Sequence, residues 1–178
     1  MVSPQTLPES DRRCAAEWAA DCAERVLPLF EAEAPEDARA RDAISRARAF
    51  GRGELSAADQ IRQRFLAFRA AGAAASPGGT AAARAAAQAA AVAHMGAHAL
   101  GAAAYSAKAA GLASPNDPAA LRDEIRWQLA AMSAQVRAAL KQLPPVGTDR
   151  NGPLGPGLLA SGLLGTIIRE IQADLFGR

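Results

Sequence analysis

The sequence predicts an all-α protein: a bundle of five to six helices with a long central Ala-rich helix and a C-terminal helical arm. Apolar residues recur at spacings of three and four in several stretches, which indicates amphipathic helices. Alanine, the strongest helix former, supplies most of the apolar half of the chain. We find no stretch in which polar and apolar residues alternate with β-branched or aromatic enrichment, the pattern typical of strands.

Proline and glycine clusters divide the chain into four predicted parts. Residues 1–9 are expected to be a disordered leader, and residues 10–143 a helical domain. Residues 144–156 form a Pro/Gly linker, and residues 157–178 a helix that docks on this domain or on a second copy. The second alternative makes the arm a dimerisation element. The uncharged run in this arm is too short and too rich in Gly and Pro for a membrane span.

Caps and breakers place the first three helices. The first begins at Ser10 or Asp11, and the second covers residues 36–50. Ser56 opens the third, and Asp59, three residues on, makes a capping-box variant. Apolar residues of the third helix follow at i, i+4 and i+7: Ile61, Phe65 and Phe68.

The stretch Thr80–Gly111 is predicted to be one long helix at the centre of the bundle. It holds both histidines of the chain, His94 and His98, which are four residues apart and therefore share one helix face. Gly96 and Gly101 lie inside it and indicate close helix contact or a bend. Two further helices are expected over residues 118–142 and 158–176.

Charge and cysteine content limit the partners and the compartment. The net charge of +2 gives no strong basic field, which argues against nucleic-acid binding. No basic segment followed by an apolar run opens the sequence, so we expect a cytoplasmic protein. Cys14 and Cys22 on one helix would be about 12 Å apart along its axis, too far for a disulfide, and are interpreted as reduced thiols.

The histidine pair is the sharpest candidate for chemistry. An i, i+4 pair can bind zinc when a third ligand comes from elsewhere, and Asp21 and Glu24 are candidates for that ligand. The segment AHMGAH lacks the glutamate of the HExxH motif, so the metalloprotease pattern fails. His94 and His98 therefore remain weak metal candidates, and hydrogen-bonded histidines of a helix bundle are the commoner interpretation.

A second polar group surrounds Trp18 on the first helix. Asp21 and Glu24, three residues apart, could act as acid and base, or they could pair with arginines of the next helix. Trp18 and Trp127 are interpreted as core anchors, because large aromatic side chains are scarce in this chain. No cofactor-binding motif and no set of catalytic residues is identified.

Four segments carry a resemblance: WAADCAERVLPLFE, PEDARARDAI with ARAFGRGEL, AHMGAHALGAAAYSAKAAG, and RWQLA. Over residues 11–143 they resemble the bacterial immunity protein family with the immunity protein five-like helical domain. The resemblance implies a non-enzymatic cytoplasmic protein that protects its producer by binding a toxin. The positions typical of the family are Trp18, Asp21, Cys22, Glu24, Arg41, Ile44, His94, His98, Tyr105, Trp127 and Gln128. The arm 144–178 departs from the family pattern.

Three functional hypotheses follow. The first is an immunity protein that binds a cognate protein toxin, and the second is a helical protein that binds or sequesters a small-molecule toxin in a pocket between the first and fourth helices. The third is an enzyme with a His/carboxylate or metal centre. The candidate ligand- or partner-binding residues are Trp18, Asp21, Glu24, Arg41, His94, His98, Tyr105, Trp127 and Gln128.

Overall fold

A computed structural model describes residues 3–177, and the side chains at 61–65 lie outside that description. The prediction of an all-α protein is confirmed. The α-helices are α1 (Glu9–Glu31), α2 (Arg39–Gly51), α3 (Ala57–Ala70), α4 (Pro77–Ala91), α5 (His98–Ala113), α6 (Ala120–Ala131), α7 (Ala134–Leu140) and α8 (Gly162–Leu175). Two short 3-10 helices, η1 (Ala71–Ala73) and η2 (Leu158–Ala160), complete the secondary structure of this part of the chain.

The centre of the molecule is the hairpin of α4 and α5. Helix α1 packs on both of them, α2 and α3 pack on α4, and α6 and α8 pack on α5. Most of the side chains on α4 and α5 are buried alanines. Because alanine adds little volume, the helix axes can approach closely, and most of the larger core residues come from the surrounding helices, above all α1, α2 and α8.

The prediction of one helix over Thr80–Gly111 is wrong, since α4 ends at Ala91 and α5 begins at His98. The turn between them is held from outside: the Gly96 amide donates to the Thr6 carbonyl, and the Ala97 amide to the Gln5 carbonyl, both at 3.0 Å. These tertiary bonds replace intrahelical ones. A Cβ at Gly96 would lie 2.5 Å from Leu7 Cδ1, so glycine allows this approach.

Two other predictions, the helix over 118–142 and the start of α3, can be compared with the structure. The expected helix over 118–142 is two helices, because Met132 is extended and the Ser133 side chain caps α7 by accepting from the Val136 amide. The capping box at Ser56 and Asp59 is confirmed. Of the predicted apolar stripe on α3, the side chains of Ile61 and Phe65 lie outside the described residues, and Phe68 is largely exposed.

Residues 3–8 differ from the predicted disordered leader, whose residues 1 and 2 lie outside the description. Gln5 is fully buried, and its side chain donates to Asp149 at 2.7 Å and accepts from the Leu154 amide at 2.9 Å. The segment is thus tied both to the α4–α5 turn and to the linker. Local composition favours disorder here, but buried tertiary hydrogen bonds order the segment.

The C-terminal arm docks on its own domain. The Leu/Ile face of α8 is buried against α5 and α6 of the same chain. Of the two predicted alternatives, docking on the same domain is the one seen within this chain, and a homodimer through the arm stays a prediction. None of the helices in the described part of the chain is long and apolar enough to cross a membrane.

Candidate functional site

The first group of predicted site residues forms a hydrogen-bonded network between α1 and α6, buried at Trp18, Glu124 and Gln128. Trp18 is buried, and its Nε1 donates to the Gln128 carbonyl at 2.9 Å. The Gln128 side chain is also buried and donates to the carbonyl of Ala103 at 3.1 Å and to Glu124 at 3.3 Å. We call these residues, with Arg25 and Trp127, the α1–α6 network.

A buried carboxylate completes this network. Glu124 accepts from Arg25 at 2.9 Å, and the Arg25 guanidinium lies over the Trp127 ring, 4.0 Å from its centroid. Arginine therefore neutralises the acid and stacks on the aromatic face. Burial, with a smaller contribution from Glu124, raises the pKa of the Cys22 thiol well above its usual value. The protonated Cys22 is a packing residue and a poor nucleophile.

The other predicted acids are paired with arginines on the surface. Arg48 of α2 donates to Asp21 at 2.7 Å and to Glu24 at 2.6 and 2.7 Å, which joins α1 to α2. The hydrogen bond from Arg48 lowers the pKa of Glu24. Arg41 donates to Glu31 at 2.6 Å. Both carboxylates of the predicted acid–base pair thus bind the same guanidinium.

The two histidines belong to different elements, the α4–α5 turn and α5. His94 is exposed in the turn, and His98 begins α5 with Nδ1 2.7 Å from Gln88 Oε1. Gln88 can reach this position because residue 101 is glycine. A Cβ at Gly101 would lie 2.5 Å from Gln88 Oε1. The shared helix face on which the metal hypothesis depends is therefore absent. No group of three or more His, Cys, Asp and Glu within the described residues could hold a metal ion.

Tyr105, the remaining predicted residue, lies at an open cleft. The cleft encloses ≈ 450 Å³ between α3, α4, α5 and the two 3-10 helices, and we call it the α3–η2 cleft. Its lining is partly apolar and partly polar: Phe68, Ala71, Gly72, Thr80, Arg84, Gln88, Tyr105 and Leu158. The Arg84 guanidinium lies 5.8 Å from the centroid of the buried Tyr105 ring. Gln88 connects this cleft to His98 behind it.

The rim of the α3–η2 cleft is apolar and exposed. Phe68 of α3 is 41% exposed and Leu158 of η2 is 65% exposed. Large apolar side chains at this exposure, next to an arginine, have the composition of protein-binding surfaces. Such a surface can bind a partner, but it offers no paired nucleophile and base.

The predicted set is therefore distributed over several places. Trp18, Trp127 and Gln128 meet in the α1–α6 network, and Asp21 and Glu24 meet at Arg48. His98 contacts Gln88, which lines the same cleft as Tyr105. The sequence reasoning missed Phe68, Leu158, Arg84 and Gln88 as site residues. A signal for two of them was present, because the non-alanine side chains of α4 recur at i, i+4 and i+8: Thr80, Arg84 and Gln88.

Comparison with known proteins supports one family assignment. Residues 5–135 match a single family model. No curated protein and no solved structure matches the chain. The matched segment covers α1 to α6 and the start of α7, which is well over half of the sequence. The chain therefore belongs to the family described as Imm-5 like putative immunity protein.

Proposed function

We propose that this protein is a non-enzymatic immunity protein that protects its producer by binding a cognate protein toxin through the α3–η2 cleft. Family membership supports the immunity role. The observation that carries the choice of surface is the exposed pair Phe68 and Leu158 on the rim of a cleft that also holds Arg84. Aromatic and arginine side chains dominate the binding energy of protein interfaces.

Binding is favoured over catalysis by how the polar residues are used. Asp21 and Glu24 are paired with Arg48, and Glu124 is paired with Arg25. A general base needs a group that takes up a proton near neutral pH, and the hydrogen bond from Arg48 lowers the pKa of Glu24 away from that range. These acids therefore stabilise the fold.

The two free thiols are consistent with a protein that acts inside the producing cell. Cys14 and Cys22 are free, and both belong to α1. Burial raises the pKa of Cys14 as well, so neither thiol is primed to form a disulfide. Reduced cysteines are typical of the cytoplasm, where the toxin would be neutralised before release.

The test uses the products of the genes that flank the coding gene. Each is produced in a bacterial host with and without this protein, and growth and co-purification are measured. We expect one product to be toxic alone, harmless with the wild-type protein, and recovered in complex with it. If no flanking product is both toxic and bound, the immunity function is contradicted.

The cleft is tested separately with the double variant Phe68→Asp and Leu158→Asp. We expect its affinity for the toxin to fall about 30-fold or more, because hot-spot residues contribute about 2 kcal/mol or more. Leu112→Asp is the matched control, since Leu112 is an exposed leucine of α5 that does not line the cleft. Equal protection by the double variant and the control would assign the toxin to another face.

A further inference from the structure

Charge is unevenly distributed along this chain. From Gln60 to Asn116 the sequence contains five basic residues and no aspartate or glutamate. The rest of the chain carries fifteen basic and eighteen acidic residues, so the net charge of +2 conceals a basic middle part. A second stretch without acids, residues 150–169, includes η2. Every described residue that lines the α3–η2 cleft belongs to one of these two stretches, so none of them is acidic.

Three basic side chains at or beside this cleft have no ion pair within the residues that the structure describes. Arg84 lines the cleft and is exposed. Arg69, also exposed, directly follows Phe68 of the cleft rim. Lys108 is half-buried and lies three residues after Tyr105 on α5, a spacing that makes two residues neighbours on a helix surface. All three cations are thus left without a carboxylate in this part of the chain.

The acid Glu33 reaches the start of α4 from another element, but its carboxylate is already used. Glu33 follows α1 and accepts from the amides of Ala75 and Ser76 at 2.6 and 2.8 Å. It satisfies N–H groups at the N-terminus of α4, about one turn before Thr80. The hydrogen bond from the Ser76 hydroxyl, together with those from the two amides, lowers the pKa of Glu33. Glu33 is therefore held at this helix end, and no ion pair joins it to Arg84 within the described residues.

Arginines on the other helices are used differently. Arg25 pairs with Glu124, and Arg48 pairs with Asp21 and Glu24. At the α3–η2 cleft the cations lie instead beside exposed apolar side chains. Carboxylates of a partner can supply the missing counter-charge, and complementary charge at an interface gives specificity and fast association. Nucleic acid is disfavoured, because its affinity grows with the number of phosphates neutralised and the cleft offers few cations.

We propose that the α3–η2 cleft binds an acidic segment of a partner protein. The carboxylates of this segment pair with Arg84, Arg69 and Lys108, and an apolar side chain of the same segment packs on Phe68 and Leu158. The inference rests on the proposed function, which makes the cleft the binding surface, and it adds the chemical class of the toxin segment. A basic toxin surface is excluded from this cleft, because like charges brought together at an interface repel.

The first test uses a probe peptide and needs no toxin. The acetylated and amidated hexapeptide DELFDE is titrated into the full ¹⁵N-labelled chain at low salt and followed by NMR. We expect saturable shifts of the backbone amides of Ala71, Thr80, Arg84 and Leu158, with a dissociation constant of about 1 mM or tighter. The peptide KRLFKR keeps the apolar pair, reverses the charge and should bind at least about tenfold more weakly. Equal affinities for the two peptides, or unmoved cleft amides with DELFDE, would overturn the proposal.

A charge reversal locates the binding. We expect Arg84→Glu to weaken DELFDE binding about tenfold or more and to strengthen KRLFKR binding, a gain that a loss of structure cannot produce. Arg122→Glu is the control, the same change at an exposed arginine of α6 that does not line the cleft. Arg69→Glu, also at an exposed arginine, serves if Arg84→Glu does not fold, with the same expected direction. An unchanged preference for DELFDE in the folded variant would contradict the proposal.

Two further comparisons separate this inference from its alternatives. Single-stranded DNA of about 12 nucleotides is titrated in the same way, and tighter binding of the DNA than of DELFDE would assign the surface to nucleic acid and overturn the proposal. A toxin whose affinity falls with Phe68→Asp and Leu158→Asp, but not with Arg84→Glu, would contradict the acidic segment and leave the immunity function standing. Failure to find a toxin contradicts the immunity function, while the peptide titrations still decide the charge preference of the cleft.

Discussion

The α1–α6 network and the α3–η2 cleft use the same kinds of side chain in opposite ways. In the network, Arg25 stacks on Trp127 and pairs with the buried Glu124. In the cleft, Arg84 lies by the Tyr105 ring but is exposed, next to apolar rim residues that stay open to solvent. The network pairs most of its polar groups within the chain, although Gln128 Oε1 is buried without a partner among the described residues, and the cleft leaves apolar side chains open to solvent.

This difference shows that residue type alone does not distinguish a side chain that holds helices together from one that is open to a partner. Tryptophans and paired charges stand out in an Ala-rich sequence, and in this fold they hold helices together. The residues best placed to bind a partner are a phenylalanine and a leucine, Phe68 and Leu158, whose importance depends on exposure. The experiments below test this separation, from the largest expected effect on stability to the smallest.

Trp18→Ala should give the largest loss, about 3–5 kcal/mol of unfolding free energy. It removes a buried indole and leaves the Gln128 carbonyl without its donor. Trp127→Ala is the comparison, because that ring is only partly buried and should cost less. Urea unfolding followed by circular dichroism measures both, and equal losses would show that Trp18 is not the anchor of the network.

Arg48→Ala should cost about 1 kcal/mol or less at neutral pH, because its ion pairs with Asp21 and Glu24 are about half exposed and screened by solvent. The pKa of Glu24 is lowered in the folded state. The contribution of Glu24 to the unfolding free energy is therefore fully present above its unfolded pKa, about 4.3. It is lost as the pH falls through the lower pKa of the folded state.

The difference between wild type and Arg48→Ala should thus shrink between about pH 7 and pH 3, as measured by urea midpoints. Arg122→Ala, at an exposed arginine of α6, is the control and should change stability little at either pH. A difference that stays constant with pH would mean that Arg48 acts through packing and not through charge.

Phe68→Ala should change stability least, by no more than about 0.5 kcal/mol, because the ring is 41% exposed. Phe30→Ala is the matched comparison, since Phe30 is fully buried and should lose about 3–5 kcal/mol. Thermal or urea unfolding measures the loss of stability in the two variants. A large loss for Phe68→Ala would mean that the rim of the cleft is part of the core and not a free surface.

The fold class and most helices follow from the sequence because they depend on local signals. The residues that form the capping box at Ser56 are only three positions apart, and those of each periodic apolar face are also close together in the chain. The break before His98 could not be predicted, because the bonds that hold it come from Gln5 and Thr6, about 90 residues away. Gly96 indicated a bend, but not one that separates the two histidines.

The candidate site was predicted less well for a related reason. Sequence periodicity can place Thr80, Arg84 and Gln88 on one face of a helix, but it cannot say which helix covers that face. Leu158 reaches the cleft only because the arm folds back over α5. The family resemblance was correct and is carried by residues that maintain the helix packing.

Gln5 has a consequence for the order in which the chain becomes structured during its synthesis. Its side chain binds Asp149 and the Leu154 amide. The buried amide of Gln5 therefore gains these hydrogen-bond partners only after the linker has been synthesised. The η2 wall of the cleft follows that linker directly. A ribosome that has made only the family-matched residues 5–135 has therefore not yet made the η2 wall of the cleft that we propose as the binding surface.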